Sequence, residues 1–341
     1  PGSKPKLDGK MLVLAHDNVA NPKINSQMLL DDVIYIVDKK GDVVWKWHAS
    51  DHFDQFGFTE AAKNHIKALP FLGKQHGGVD WLHINCASWL GPNKWYDKGD
   101  KRFHPDNIIC DSRNSSHLFI IDHKTGDIVW QVTPPFVGQD SDLGPITGVH
   151  GTHMIPKGLP GAGNILIFDN GGWGGYDVPN PGSPTGVKAA LRDHSRVLEI
   201  DPVTLEIVWQ MTPKEAGYLM PLDANRFYSP FISGMQRLPN GNTMITEGSH
   251  GRIFEVTPEH ELVWEYVCPY WGTALPMNMV YRSYRLPYEW VPQLEKPAES
   301  PIERLDVSTF RVPGAAAPGV KSAVKIKEAK GYFGLSAMCV A

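Results

Sequence analysis

The sequence predicts an all-β protein, a β-propeller of four-stranded blades, and three observations carry that expectation. A hairpin pattern recurs four times, each copy closing on an apolar strand that ends in tryptophan. Glycine and proline are abundant, 33 and 28 among 341 residues, which suits short strands joined by tight turns. No amphipathic helix longer than Thr59 to Leu69 can be read.

The four copies are DDVIYIVDKKGDVVWKW (31–47), SHLFIIDHKTGDIVWQV (116–132), SRVLEIDPVTLEIVWQM (195–211) and GRIFEVTPEHELVWEY (251–266). Each opens with alternating residues, turns through a polar loop and closes on Trp45, Trp130, Trp209 or Trp264. A second pair of strands precedes the hairpin. It is complete in GTHMIPKGLPGAGNILIFDNG (151–171) and SGMQRLPNGNTMITEGS (233–249), joined by a turn of the Pro-x-Gly-Asn kind. Together the two pairs make a four-stranded blade, and repeated blades leave only short sheet edges exposed.

The first copy starts late, because Gly9-Lys10-Met11-Leu12 already belongs to the strand after the turn, so its inner strand is missing. A buried edge needs a partner. Either the segment from Met277 onward folds back or a second polypeptide supplies the strand. The blades are expected over residues 1–275, with 276–341 as an extension packing on or closing the propeller. Its tail, Phe310 to Ala341, carries no blade pattern. The tryptophans are unevenly spaced, so long insertions project between strands. The segments from Trp89 to His104 and from Trp173 to Arg192 are expected to shape a binding site, with Trp89 and Trp173 against a substrate.

Composition narrows the partners. A formal charge of −4 without a Lys/Arg cluster argues against nucleic acid. No apolar run approaches 18 residues, so no membrane helix is expected. Cys86, Cys110, Cys268 and Cys339 have no CxxC spacing. Cys86 and Cys110 read as buried thiols, with a cross-hairpin disulfide as the alternative.

Chemistry-bearing residues gather where inner strands begin. In VDWLHIN (79–85), alternation puts His83 and Asn85 on one face. NIICDSR (107–113) ends on Arg113, and VHGTHMIP (149–156) carries His150 and His153, on opposite faces by alternation. His16 follows the first strand where other blades have Asp111-Ser112, Asp169-Asn170 and Glu247-Gly248, and it too can face the channel. An anionic ester suits this set. Arginine and asparagine supply donors to oxyanions, one imidazole acts as nucleophile, and another protonates the leaving oxygen. His48, Asp51, His52 and Asp54 can bind a metal but read better as caps of the following helix.

The segments DWLHIN, FHPDNIICDSR, VHGTHMIPKGLPGAGNILIFDNGG and RLPNGNTMITEGSHGRIFEVTPEHELVWEY resemble the bacterial arylsulfotransferase family, over roughly residues 8 to 288. The resemblance implies a six-bladed propeller that moves sulfuryl groups between phenols through a sulfohistidine, without a nucleotide sulfate donor. It implies a small aromatic substrate. A periplasmic or secreted setting is expected, with a cytoplasmic one left open. It gives His83, Asn85 and Arg113 substrate-facing roles and makes His150 the nucleophile. His153, His16, Trp89 and Trp173 complete the expected site. Val149 and Gly151-Thr152 depart from the family pattern around His150, and the family's upstream His-His-Asp segment and first blade have no counterpart here. The chain is therefore expected to be part of a longer precursor, with a second chain completing the ring. No cofactor is expected. Two other readings stay open: a lyase or hydrolase using the channel histidines, with or without a divalent metal, and a non-catalytic ligand-binding propeller.

Overall fold

A computed structural model describes residues 9–72, 77–132, 143–172, 174–176, 192–273 and 276–298. Four four-stranded sheets follow one another along the chain as blades of a propeller. The first holds β1 (Met11–Ala20), β2 (Met28–Val37), β3 (Val43–His48) and the two-residue β4 (Val79–Asp80). The second is β5 (Ile84–Trp89), β6 (Ile108–Ser112), β7 (His117–Ile121) and β8 (Ile128–Val132). The third is β9 (His150–Met154), β10 (Ile165–Asp169), β11 (Arg196–Ile200) and β12 (Ile207–Met211). The fourth is β13 (Gly234–Arg237), β14 (Thr243–Glu247), β15 (Arg252–Val256) and β16 (Leu262–Val267).

The last three blades are antiparallel meanders. The first differs. β1, β2 and β3 form the meander, and β4 runs parallel to β2 at Leu29 and Leu30. The other edge of β1 has no ladder partner among the described residues.

The middle strands of the second and third blades are apolar on both faces because each of these blades is packed between two others. On β6, Ile108 and Cys110 enter the core shared with the first blade, while Ile109 enters the core shared with the third. On β10, Ile165 and Ile167 face the second blade, and Leu166 and Phe168 face the fourth. Each of these side chains is fully buried, which stabilises the fold by roughly 1.5–3 kcal/mol apiece.

The repeated tryptophans join the blades. Trp130 Nε1 donates to Pro202 O at 2.8 Å and Trp209 Nε1 to Pro258 O at 2.9 Å, each reaching the hairpin turn of the next blade. In the first blade Trp47, not Trp45, makes the equivalent bond, to Gly126 O at 2.9 Å. A bulge recurs in all four hairpins beside Trp45, Trp130, Trp209 and Trp264.

The expected helix is α1 (Glu60–Ala68), with the Thr59 side chain accepting from Ala62 N–H. The preceding His48, Asp51, His52 and Asp54 do not cap it. Residues Ala49–Phe56 form a 3-10 helix whose N-cap His48 makes no side-chain cap bond. His48 lies instead 3.4 Å from both Asp17 and Asp31, and His52 stacks on Trp47. Between β5 and β6 lies α2 (Lys94–Asp97), started by the Asn93 side chain. Trp95 Nε1 donates to Gly163 O at 2.7 Å, docking this insertion on the β9–β10 turn of the third blade. Cys86, Cys110 and Cys268 are free thiols, so the Cys86–Cys110 disulfide is not formed. The ladder shows why: Cys86 lies opposite Asp111, and Cys110 opposite Ala87.

Past the fourth blade, the chain from Asn278 to Arg285 runs alongside β13. Ser233 N–H donates to Tyr281 O, and Gln236 exchanges side-chain bonds with the Arg285 backbone. No helix among the described residues is long and apolar enough to cross a membrane.

Candidate active site

His83 is the best-defined member of the expected site. It precedes β5 rather than lying in it, and its φ of 58° is left-handed. Strand alternation therefore does not set its direction. The conformation is fixed from the β6–β7 turn, where Arg113 N–H donates to His83 O and Asn114 N–H to Leu82 O. Such a backbone is uncommon in a non-glycine residue and tends to mark functional sites. His83 Nδ1 lies 2.7 Å from Asp80 Oδ2. A carboxylate only accepts, so Nδ1 carries the proton and Nε2 presents its lone pair. Among the described residues Nε2 has no hydrogen-bond partner.

Around this dyad stand several donors. The Arg113 guanidinium is anchored on Asn114 Oδ1 through Nε and Nη2, and Nη2 lies 3.7 Å from Asp80. Asn85 donates to Val149 O at 3.3 Å, linking the second and third blades, and its Oδ1 accepts from Tyr281 OH at 3.4 Å. His16, on β1, has its ring 6.4 Å from that of His83. Its Nε2 lies 3.1 Å from Asp32, a fully buried carboxylate. The hydrogen bond to Asp32 raises the His16 pKa, so His16 is a ready proton donor.

His150 sits in a different setting from the one expected of a nucleophile. It is 2% exposed. Its Nδ1 bonds Asn170 Oδ1 at 2.8 Å and Gly148 O at 2.9 Å, and its Nε2 accepts from Ile232 N–H at 3.1 Å. Both nitrogens are engaged, and burial drives its pKa well below the ordinary range, so the ring is neutral.

Two bulges shape this end of the propeller. In β5, Ile84 faces Ser112 and Cys86 faces Asp111, leaving Asn85 as the extra residue. In β9, His150 faces Phe168 and His153 faces Leu166, so Gly151 and Thr152 together oppose one residue. His150 and His153 consequently share a face, opposite to what simple alternation predicts. Gly151 has φ of 69°, and a Cβ there would meet Gly234 Cα at 3.1 Å. One buried carboxylate serves both bulges: Asp111 accepts from Thr152 N–H at 2.7 Å and from the Asn85 backbone. Burial pushes its pKa up to about 6.

The other expected residues divide. His153 is partly buried, its Nδ1 on Gly151 O, and burial takes its pKa down to about 4. Trp89 ends β5, four residues beyond Asn85 and roughly 13 Å along the strand, and it packs against the core between the first two blades. It is therefore not part of this site. The insertion after it projects from the opposite end of the propeller, because β5 runs away from His83. Trp173 lies outside the described residues.

Sequence reasoning missed Asp80, Asn170, Tyr281 and Arg282. Arg282 reaches across the channel from beside β13 to β5, donating to Asn85 O at 3.3 Å. The run YRSYR (281–285) offered a signal in its alternating arginines and tyrosines, but it sits outside the blade pattern. Asp80 could be read from its place three residues before His83.

Residues 5–266 match the family model described as arylsulfotransferase (ASST). The chain belongs to the arylsulfotransferase family. No curated protein matches the sequence. Among solved structures it is similar to a protein of unknown function from Bacteroides caccae, at TM-score 0.34 and 12% identity, covering 74% of this chain and 57% of that one. Virginiamycin B lyase from Staphylococcus aureus aligns at TM-score 0.32 and 12% identity, covering 76% and 61%. The Cps50 (Swd1) β-propeller domain from Myceliophteria thermophila aligns at TM-score 0.34 and 9% identity, covering 71% and 57%. The chain thus spans less than two thirds of these three structures, and likeness at this level carries nothing about chemistry.

Proposed function

We propose that the chain transfers a sulfuryl group from an aryl sulfate to a phenol, with His83 as the group that carries it and no nucleotide sulfate involved. The observation that supports this is the contrast between two imidazoles. Asp80 fixes the proton of His83 on Nδ1 and leaves Nε2 open, while both nitrogens of His150 are hydrogen-bonded. The family resemblance gives the nucleophile's role to His150; the hydrogen bonds favour His83.

In the first half-reaction His83 Nε2 attacks sulfur, the bond from sulfur to the phenolic oxygen breaks, and the leaving oxygen takes the proton of His16. Asp80 balances the charge that forms on the His83 ring. In the second half, neutral His16 removes the proton of the acceptor phenol, whose oxygen attacks sulfur while the N–S bond breaks. Arg113 and Arg282 act on the sulfuryl oxygens, and Asn85 places both its neighbours. Catalysis here is positioning plus charge stabilisation, as in phosphoryl transfer. The reading extends to a periplasmic or secreted enzyme in which a strand from another polypeptide pairs with the open edge of β1.

Incubation with p-nitrophenyl sulfate, acid-free quenching and mass measurement of the peptides holding His83 and His150 test this reading. A sulfuryl group on the His83 peptide is expected. An adduct on the His150 peptide overturns the assignment to His83, and absence of p-nitrophenol release with any phenol acceptor overturns the reaction itself.

A further inference from the structure

A second group of ligating side chains lies at the end of the second blade away from His83. His104 and Asp106 lie between the α2 insertion and β6, and His123 opens the turn from β7 to β8. One ligand atom from each of His104, Asp106 and His123 lies within 4.8 Å of the others. The two imidazoles stack, with ring centres 4.5 Å apart. His104 also makes an edge contact with Tyr96.

Behind the imidazoles stands a buried amide that fixes one of them. Asn107 is fully buried, and its Oδ1 accepts from the His123 backbone at 3.1 Å and from His123 Nδ1 at 2.9 Å. The Asn107 amide group is oriented in turn by Nδ2 donating to Arg102 O at 3.0 Å. His123 therefore carries its proton on Nδ1 and offers Nε2, the arrangement that orients imidazole ligands in metal sites. The His104 Nδ1 lone pair accepts from Asp106 N–H at 3.1 Å, a bond it gives up to ligate, and the Asp106 carboxylate lies 4.0 Å from the same atom.

We propose that His104, Asp106 and His123 form a zinc(II) site, with a fourth position open to water. Two imidazoles and one carboxylate suit zinc, whose bonds to nitrogen and oxygen are about 2.0–2.2 Å. Closing on the ion needs a modest swing of the side chains. Asp106 and His104 are free to make it, with side chains 59% and 26% exposed. The ion fastens the α2 insertion to the β7–β8 turn, adding to the stacked imidazoles and the hydrogen bonds from His123 to Asn107. Its chemistry is separate from that at His83.

The test is equilibrium dialysis of the chelator-stripped full chain against zinc, with metal analysis, alongside Asp106→Asn, His104→Ala and His123→Ala. One zinc per chain is expected, with affinity at least about tenfold weaker in each variant, since even losing a ligand's hydrogen-bond partner typically costs about 10–100-fold. Zinc should raise the thermal midpoint of the wild-type chain but not of the variants. Asp106 is exposed, so its variant separates ligand loss from misfolding. Failure of the wild-type chain to hold one zinc, or zinc affinity in the variants unchanged from the wild-type chain, overturns the site.

Discussion

His83 and His150 are both histidines at the start of an inner strand, yet their surroundings assign them different work. His83 has one nitrogen tied to Asp80 and a left-handed backbone tied to Arg113. Its change to Gln is expected to lower turnover at least ~100-fold with the fold intact, the usual worth of a positioned acid, base or nucleophile. Asp80→Asn can accept or donate at the same place and so loses control of the tautomer. Steady-state kinetics should show kcat falling with little change in KM. His150→Gln leaves the amide partners of a buried ring unmatched, so denaturant unfolding should show a loss of about 1–3 kcal/mol. The motif residues themselves were legible in the sequence. What separates these two imidazoles was not, because it depends on Ile232 and Asn170, which are distant along the chain.

Blades and their hairpins were readable because alternation and closing tryptophans are local signals. The bulges were not, since an extra residue shows only against the register of the neighbouring strand. That is why alternation separates His150 from His153 while the ladder brings them to one face. Asp111 ties the two bulges, and its folded-state pKa of about 6 lies above the ordinary carboxylate value of 3.8. A raised pKa means that the folded state disfavours ionisation. The contribution of Asp111 to stability is therefore fullest below about pH 4 and declines as pH rises to about 6, by about 3 kcal/mol over that window. Asp111→Asn keeps the acceptor for Thr152 without the charge. Urea unfolding across pH should show the variant gaining on the wild-type chain between pH 4 and 6 and running parallel above. Trp130→Phe tests the blade-to-blade bond. It should cost about 1 kcal/mol from the lost bond to Pro202 O, against about 3–5 kcal/mol for Trp130→Ala, which also opens a cavity.

Across the whole molecule, the site draws on three of the described blades and on the segment that runs alongside the fourth. His16 comes from the first, His83, Asn85 and Arg113 from the second, His150 from the third, and Tyr281 and Arg282 from the chain alongside the fourth. No single repeat contains the chemistry, so the repeat could reveal the fold without revealing that Arg282 crosses to Asn85. Arg282→Gln is expected to raise KM for an aryl sulfate more than it lowers kcat, read from initial rates. The central claim is that His83 carries the sulfuryl group, and one measurement addresses it directly: the mass of the His83 peptide after brief exposure to p-nitrophenyl sulfate, followed by a chase with phenol. The account predicts an added sulfuryl group that disappears in the chase as aryl sulfate forms. Product formation with the His83 peptide unmodified at every time point, or with His83→Gln still fully active, would contradict it.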